Sequence, residues 1–450
     1  MRMEETIVAQ ATPPGQGGIA VVRLSGPEAE RILSEIFVPA ARQGWPMKSH
    51  LLTYGKLTDG ETKLDECMAV LMKAPRSYTR EDVAELQIHG GSFLAARAVE
   101  LCIRHGARLA EPGEFTRRAF LNGRIDLSQA EAVMSLISAR GAQEHQAAIR
   151  DMEGGAASFV RDAADRLYAL QAGLAACMDY PEEISDEEGE AALRPGLVEL
   201  IRLLRENLDE KSARLIHDGL RVAIYGSPNV GKSSLLNALL GEEKAIVTPI
   251  PGTTRDLVEG EILLDGIRVL LTDTAGLRKT DDPVEKIGVE RSEKSLRGAD
   301  LGLLVLDGSR PPTLEERELI AKLPPEGMIV INKQDLLEAA EIREALQKAD
   351  IRRVIRLSTR QPESLQALKE ALREKIRVSD RMTLTQPRHL DAVRRAVGHL
   401  EDALRTLDTL TPDLAATDLQ AAQAALAEIT GDQADERLLD EVFSRFCVGK

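Results

Sequence analysis

Apolar and polar positions change period along this chain, and each change predicts a different kind of element. In residues 1–118, short apolar runs at Thr6–Gln10, Gly18–Leu24 and Glu66–Met72 suit strands, while periodicity near 27–36 and 92–105 suits helices. Turn chemistry punctuates them at Pro13-Pro14-Gly15, Gly17-Gly18, Gly90-Gly91 and Pro112-Gly113. From about 119 to 215 the chain turns to Ala, Leu, Glu, Arg and Gln with helical period. The acidic run Pro181–Glu190 interrupts it and reads as a solvated loop. Residues 216–378 alternate strand and helix patterns. Within them Glu261–Leu264 and Ile267–Thr272, joined by Asp265-Gly266, predict an antiparallel hairpin in an otherwise parallel sheet. Helical period returns from about 387 to 446, inside a last segment 379–450.

Each helical stretch carries an apolar stripe that needs cover. The economical solution packs the two together as one bundle, with the α/β segment inserted between them. The expected fold class is therefore multidomain α/β and α. It comprises an N-terminal α+β domain at 1–118, a discontinuous helical bundle at 119–215 and 379–450, and an inserted domain at 216–378.

Composition adds bounds. A length of 450 residues suits about three domains. Hydrophobic content of 43% and charged content of 29% suit a soluble globular protein. The N-terminus lacks a leader pattern, no apolar run approaches a membrane span, and the expectation is a cytoplasmic chain with no membrane partner. Cys67, Cys102, Cys177 and Cys447 show neither metal-ligand spacing nor a disulfide framework. A net charge of −15 gives no global help in holding RNA. Any RNA contact would need a local patch such as Arg117, Arg118 and Arg124, or a more basic partner.

The candidate chemistry lies in the inserted segment. Gly226-Ser-Pro-Asn-Val-Gly-Lys-Ser233 follows the strand-like Arg221–Tyr225 and leads into the helix-like Ser234–Leu240. That context turns the backbone at Asn229, Val230, Gly231, Lys232, Ser233 and Ser234 into a phosphate cradle. Lys232 can reach the β- and γ-phosphates, and Ser233 can ligate Mg²⁺. Asp273-Thr274-Ala275-Gly276 ends a second apolar run, where an Asp can hold the metal through water and a Gly N–H can sense the γ-phosphate. Asn332-Lys333-Gln-Asp335 ends a third run, and the Asp335 carboxylate can accept from guanine N1–H and its amine, a donor pair adenine lacks. Ser358 and Thr359, after Arg353–Leu357, would set a backbone donor near guanine O6. Four such motifs in this order predict a Ras-like P-loop domain that binds GTP.

Further stretches carry a family resemblance. Thr6–Gly15, Tyr78–Gly91, Glu111–Gly123, Pro249–Asp256 and the terminal Phe446–Lys450 resemble the MnmE (TrmE) family of tRNA-modification GTPases, and the resemblance covers essentially the whole chain. It implies a homodimer formed through the N-terminal domain, which carries folate sites. It also implies a separate FAD-dependent partner, MnmG (GidA). Together the two would place a carboxymethylaminomethyl or aminomethyl group on C5 of the tRNA wobble uridine (U34). A tetrahydrofolate derivative, in the 5,10-methylene or 5-formyl form, would supply the one-carbon unit.

The same resemblance assigns roles to single residues. Leu277 stands where many small GTPases have a water-orienting Gln, so another device is needed. The resemblance implies K⁺ held by Asn229 and by the loop at Thr248, Ile250 and Thr253, neutralising charge in the transition state. Thr254 would join Ser233 on Mg²⁺, and Glu285 would assist the nucleophile. Arg23, Glu85, Arg124 and Lys450 match the folate positions. Cations there suit an acidic tail, and a carboxylate suits an amino-pyrimidinone edge. Cys447 stands fourth from the C-terminus, but Gly449 and Lys450 fit a prenylation box poorly, and its role stays open. The alternative reading is a nucleotide-switched assembly GTPase, for ribosomes for example, with no part in base chemistry.

Overall fold

The structure, a computed structural model, describes residues 4–40, 44–180, 186–242, 260–273, 298–324, 326–336, 341–342, 344, 346, 353–379, 384–409 and 412–449. They form two compact units. One comprises Met1–Ile137, Arg150–Leu200 and Arg395–Lys450, the other Ser138–Ile149 and Ile201–Arg394.

In the first unit, strands β1 (Ile7–Gln10), β2 (Ile19–Ser25), β3 (Phe37–Pro39), β4 (Thr53–Asp59), β5 (Thr62–Met72), β6 (Val83–His89) and β7 (Arg108–Leu109) make one sheet. Its order is β3-β4-β5-β6-β2-β1-β7, antiparallel except where β1 meets β7. Helices α1 (Ala29–Ile36) and α2 (Ser92–Arg104) cover one face. The seal is apolar: Val22, Leu24 and Leu86 from the strands meet Ile32, Leu33, Ala98 and Leu101 from the helices. Fully burying each aliphatic side chain stabilises by roughly 1.5–3 kcal/mol.

Helices α3 (Glu114–Leu121), α4 (Leu127–Ser138), α5 (Ala142–Met152), α6 (Gly155–Asp179) and α7 (Asp186–Glu206) follow. The chain returns to this unit late, after the strands and helices of the second. Buried Ala156, Ala157, Val160, Ala163 and Leu167 recur on one face of α6 at helical spacing. Residues 412–430 answer with buried Ala415, Leu419, Ala422 and Leu426, and the two helices pack together. The two helical stretches, distant in sequence, thus share one bundle.

The expected RNA patch is not one. Arg118 is fully buried between Glu114 (3.0 Å) and Glu81 (3.1 Å), and Arg117 pairs with Asp440. Arg124 stacks its guanidinium over the Tyr78 ring at 5.3 Å. The sequence could not show this, because α3 turns its Arg118 face inward toward carboxylates brought from β6's approach and from its own previous turn. Burial pushes the Glu114 carboxyl up, but the Arg108 fork, the Glu111 N–H and Arg118 outweigh it and hold it below the usual range. Its contribution to stability is therefore complete above about pH 4.5 and lost as the pH falls below that. Removing the cation by Arg118→Ala takes from Glu81 and Glu114 the buried charge they share. It should cost about 3–5 kcal/mol, read as a lower urea midpoint for the transition that includes this domain.

The second unit opens with most of α5 and continues with the end of α7, α8 (Glu210–His217), β8 (Leu220–Tyr225) and α9 (Lys232–Glu242). Strands β9 (Gly260–Leu264), β10 (Ile267–Asp273), β11 (Leu301–Asp307), β12 (Met328–Asn332) and β13 (Val354–Arg356) follow, with helices α10 (Leu314–Ala321) and α11 (Gln366–Lys375). Its sheet runs β13-β12-β11-β8-β10-β9, parallel throughout except β9. The β9–β10 hairpin turns at Asp265 (φ 49°) and Gly266 (φ 80°), as its sequence predicts. Every residue of β12 is buried, as parallel strands covered on both faces require. The remaining helices are α12 (Pro387–Thr409), α13 (Pro412–Thr430) and α14 (Glu436–Ser444). Among the described residues, no helix is long and apolar enough to cross a membrane.

Candidate functional site

The parallel sheet explains where the site lies. β8, β10, β11 and β12 all end at one edge, so the loops that follow them gather there. The β8 loop is the glycine-rich stretch. Gly226 lies against the Val305 carbonyl, which a Cβ would meet at 2.3 Å, and Gly231 (φ 100°) leaves no room beside the Asn332 amide. Both positions need glycine because neighbouring strands press on the loop from behind. Asn229 takes a left-handed φ of 65°.

Asn229, Gly231, Lys232, Ser233 and Ser234 line one cleft of about 530 Å³ with Asn332, Lys333, Asp335, Ser358 and Thr359. Lys232 folds back to donate to the Gly226 and Ser227 carbonyls at 2.9 and 3.0 Å, and burial pulls its pKa down. Ser233 Oγ donates to Asp273 Oδ2 at 2.8 Å. The other Asp273 oxygen is buried without a hydrogen-bond partner among the described residues. A hydroxyl beside a carboxylate with a spare buried oxygen is a donor set that suits Mg²⁺.

At the cleft's other end, Asn332 acts as a clamp. Its Nδ2 donates to the Val230 carbonyl at 2.9 Å, and its Oδ1 accepts from the Thr359 N–H at 3.2 Å. One side chain therefore ties the phosphate loop to both base-end loops. Ser358 Oγ donates to Asp335 Oδ1 at 2.6 Å, and this bond keeps the exposed Asp335 carboxyl below its usual range. An ionised carboxylate at the open end of a phosphate cradle can take two donors from guanine. Thr248, Ile250, Thr253, Thr254, Thr274, Ala275, Gly276, Glu285 and Lys450 lie outside the described residues.

Sequence reading missed three members of this edge. Asp307 closes β11 directly beside Asn332 in the parallel register and pairs with the Lys333 ammonium at 2.6 Å. Arg310 and Glu316 follow it with a forked ion pair at 2.7 Å. An acidic residue ending the apolar run Leu301–Leu306 was the available signal, the same one that marks Asp273.

A second polar cluster lies in the first unit. Arg23 and Glu85 are register partners on β2 and β6 and pair at 2.7 Å. Arg23 also sits over the Phe115 ring at 5.8 Å. Tyr78 packs with Phe115, hydrogen-bonds Thr116 at 2.9 Å, and carries Arg124 on its face. Burial raises the Tyr78 pKa, and Arg23 and Arg124 both oppose that rise. The C-terminal segment also touches β1: Gly449 lies so close to the Gln10 carbonyl that a Cβ would meet it at 2.3 Å. Cys447 is exposed, and all four cysteines are free thiols.

Comparison with known proteins joins the two clusters. Residues 6–124 match the family described as GTP-binding protein TrmE N-terminus, and residues 127–447 match the MnmE helical domain. The chain is 46% identical to the tRNA modification GTPase MnmE of Symbiobacterium thermophilum, over 99% of this chain and 100% of that protein. It is 42% identical to the protein of the same name from Heliobacterium modesticaldum, over 99% of each. Identity to that of Clostridioides difficile is 40% over the full length of both. With a phosphate cradle, a guanine-type base end and end-to-end similarity of this order, the chain belongs to the MnmE family of tRNA modification GTPases, and is a GTP hydrolase acting in tRNA modification.

Proposed function

We propose that this GTPase acts with a separate FAD-dependent protein of the MnmG (GidA) kind to modify C5 of the wobble uridine. The group added is carboxymethylaminomethyl or aminomethyl, and its one-carbon unit comes from a tetrahydrofolate derivative. The observation that carries this reading is the cluster of Arg23, Glu85, Tyr78, Phe115 and Arg124. Aromatic rings suit a flat heterocycle, Glu85 suits its amino-pyrimidinone edge, and two guanidinium groups suit an acidic tail. Lys450 would add a further cation, and the tail that bears Cys447 supports a place for the C-terminus beside this cluster. The working form is a cytoplasmic homodimer joined through its N-terminal domains.

In the nucleotide domain, Ser233 and Thr254 would hold Mg²⁺, with Asp273 behind them. Asn229, Thr248, Ile250 and Thr253 would hold K⁺. When bound, these cations neutralise charge that develops on the phosphates. This chain's own residues do the rest: Lys232 holds the β- and γ-phosphates, Asn332 fixes the loops, and Glu285 orients water where Leu277 cannot.

GTP turnover in matched K⁺ and Na⁺ tests the cation arm. Turnover should be at least about tenfold faster in K⁺, within the range that a single transition-state cation contributes. Asn229→Ala should erase the difference. Equal turnover of the native chain in both salts would remove K⁺ from the mechanism. Mass spectrometry of tRNA nucleosides tests the modification arm: unchanged wobble uridines in a strain lacking this chain would remove it.

A further inference from the structure

The base-reading and phosphate loops are joined by Asn332, and a chain of ion pairs runs behind the base-reading loop. Lys333, held at a left-handed φ of 65°, donates its ammonium to Asp307 Oδ2 at 2.6 Å. Asp307 is buried, and its other oxygen accepts from the Ser309 N–H and hydroxyl at 3.0 and 2.7 Å. Arg310 approaches the same carboxylate at 3.9 Å, then forks onto Glu316 with bonds of 2.9 and 2.7 Å. Glu316 is 1% exposed and also accepts from the Thr313 N–H at 2.8 Å, closing a capping box on α10. Gly308 presses on the Asn332 carbonyl, which a Cβ would meet at 2.9 Å, so the segment cannot shift without moving the base loop.

We propose that Asp307 and Arg310 are positioning residues: the relay Lys333–Asp307–Arg310–Glu316 fixes the base-reading loop that Asn332 ties to the phosphate loop, and so sets affinity for the whole guanine nucleotide. The proposal rests on the guanine-nucleotide reading of the cleft. Burial works against ionisation of both Asp307 and Glu316. Lys333 and Ser309 outweigh it at Asp307, and the Arg310 fork outweighs it at Glu316, so both carboxyls lie below their usual range. Both pairs are therefore charged whenever nucleotide binds. A loop cation held by a buried carboxylate is fixed more firmly than one held by a solvated carboxylate, and Lys333 lies between the clamp Asn332 and the base reader Asp335.

The test is GDP binding by calorimetry on the full chain with Mg²⁺, for the native protein, Asp307→Asn, Arg310→Lys and the double variant. Asp307→Asn keeps the shape and removes the charge; Arg310→Lys keeps the charge and removes the fork. Each should raise the Kd for GDP about tenfold, the loss of one charge-assisted bond of roughly 1.4 kcal/mol. Turnover at saturating GTP should fall by less than affinity does. The double variant should be little worse than either single one, because both act through one relay. Unchanged Kd in folded variants, a lowered Tm with unchanged Kd, or full additivity would each overturn the relay. A native chain that fails to bind GDP would instead overturn the nucleotide reading itself.

Discussion

Asp335→Asn should weaken GTP binding by about 150- to 20,000-fold, the loss of two hydrogen bonds to a charged acceptor at roughly 1.5–3 kcal/mol each. The carboxylate stands at the open end of the cleft, anchored on one oxygen by Ser358 at 2.6 Å. That anchor can survive the substitution, because an Asn carbonyl oxygen accepts the same bond. What changes is the group offered to the base. An amide nitrogen donates where the carboxylate accepted, and it meets the guanine amine donor to donor. Xanthine carries a carbonyl at that carbon, so the variant should bind XTP more tightly than the native chain does. Competition of GTP and XTP against a fluorescent nucleotide checks this. A variant that keeps GTP affinity would place the base elsewhere.

Lys232→Ala should reduce GTP turnover by about 100- to 1000-fold, the range for losing one preorganised donor to developing charge. Lys232 is buried and, among the described residues, bonds to loop carbonyls at 2.9 and 3.0 Å. Those carbonyls open to solvent once the side chain is gone, so the variant should fold, with a Tm close to native. Single-turnover kinetics on the loaded protein separate the chemical step from binding. Near-native turnover would mean that the lysine's resting contacts are its whole role.

Much of this was legible in sequence, for physical reasons that can be named. Met328–Ile331 reads as a strand because both faces of β12 are covered, and Asp265-Gly266 reads as a turn because both residues take positive φ. Nucleotide motifs are short and local, so Lys232, Ser233, Asn332 and Asp335 could be named before their cleft was seen. The rest depended on partners far along the chain. β4 is mostly polar, with only Gly55 and Leu57 buried, and β7 has two residues, so neither leaves a periodic trace. Arg118 looked like a surface cation because nothing local reveals Glu81, thirty-seven residues away. Asp307 acquires its role only when parallel pairing brings it beside Asn332.

The proposed function requires that GTP hydrolysis at this cleft serve modification of the wobble uridine. Mass spectrometry of tRNA nucleosides tests it most directly, in a strain lacking this chain and complemented with either the native sequence or Lys232→Ala. The C5-modified wobble nucleosides should vanish in the deletion, return with the native chain, and stay absent or strongly reduced with Lys232→Ala. Unchanged wobble uridines in the deletion strain would contradict it and favour an assembly GTPase.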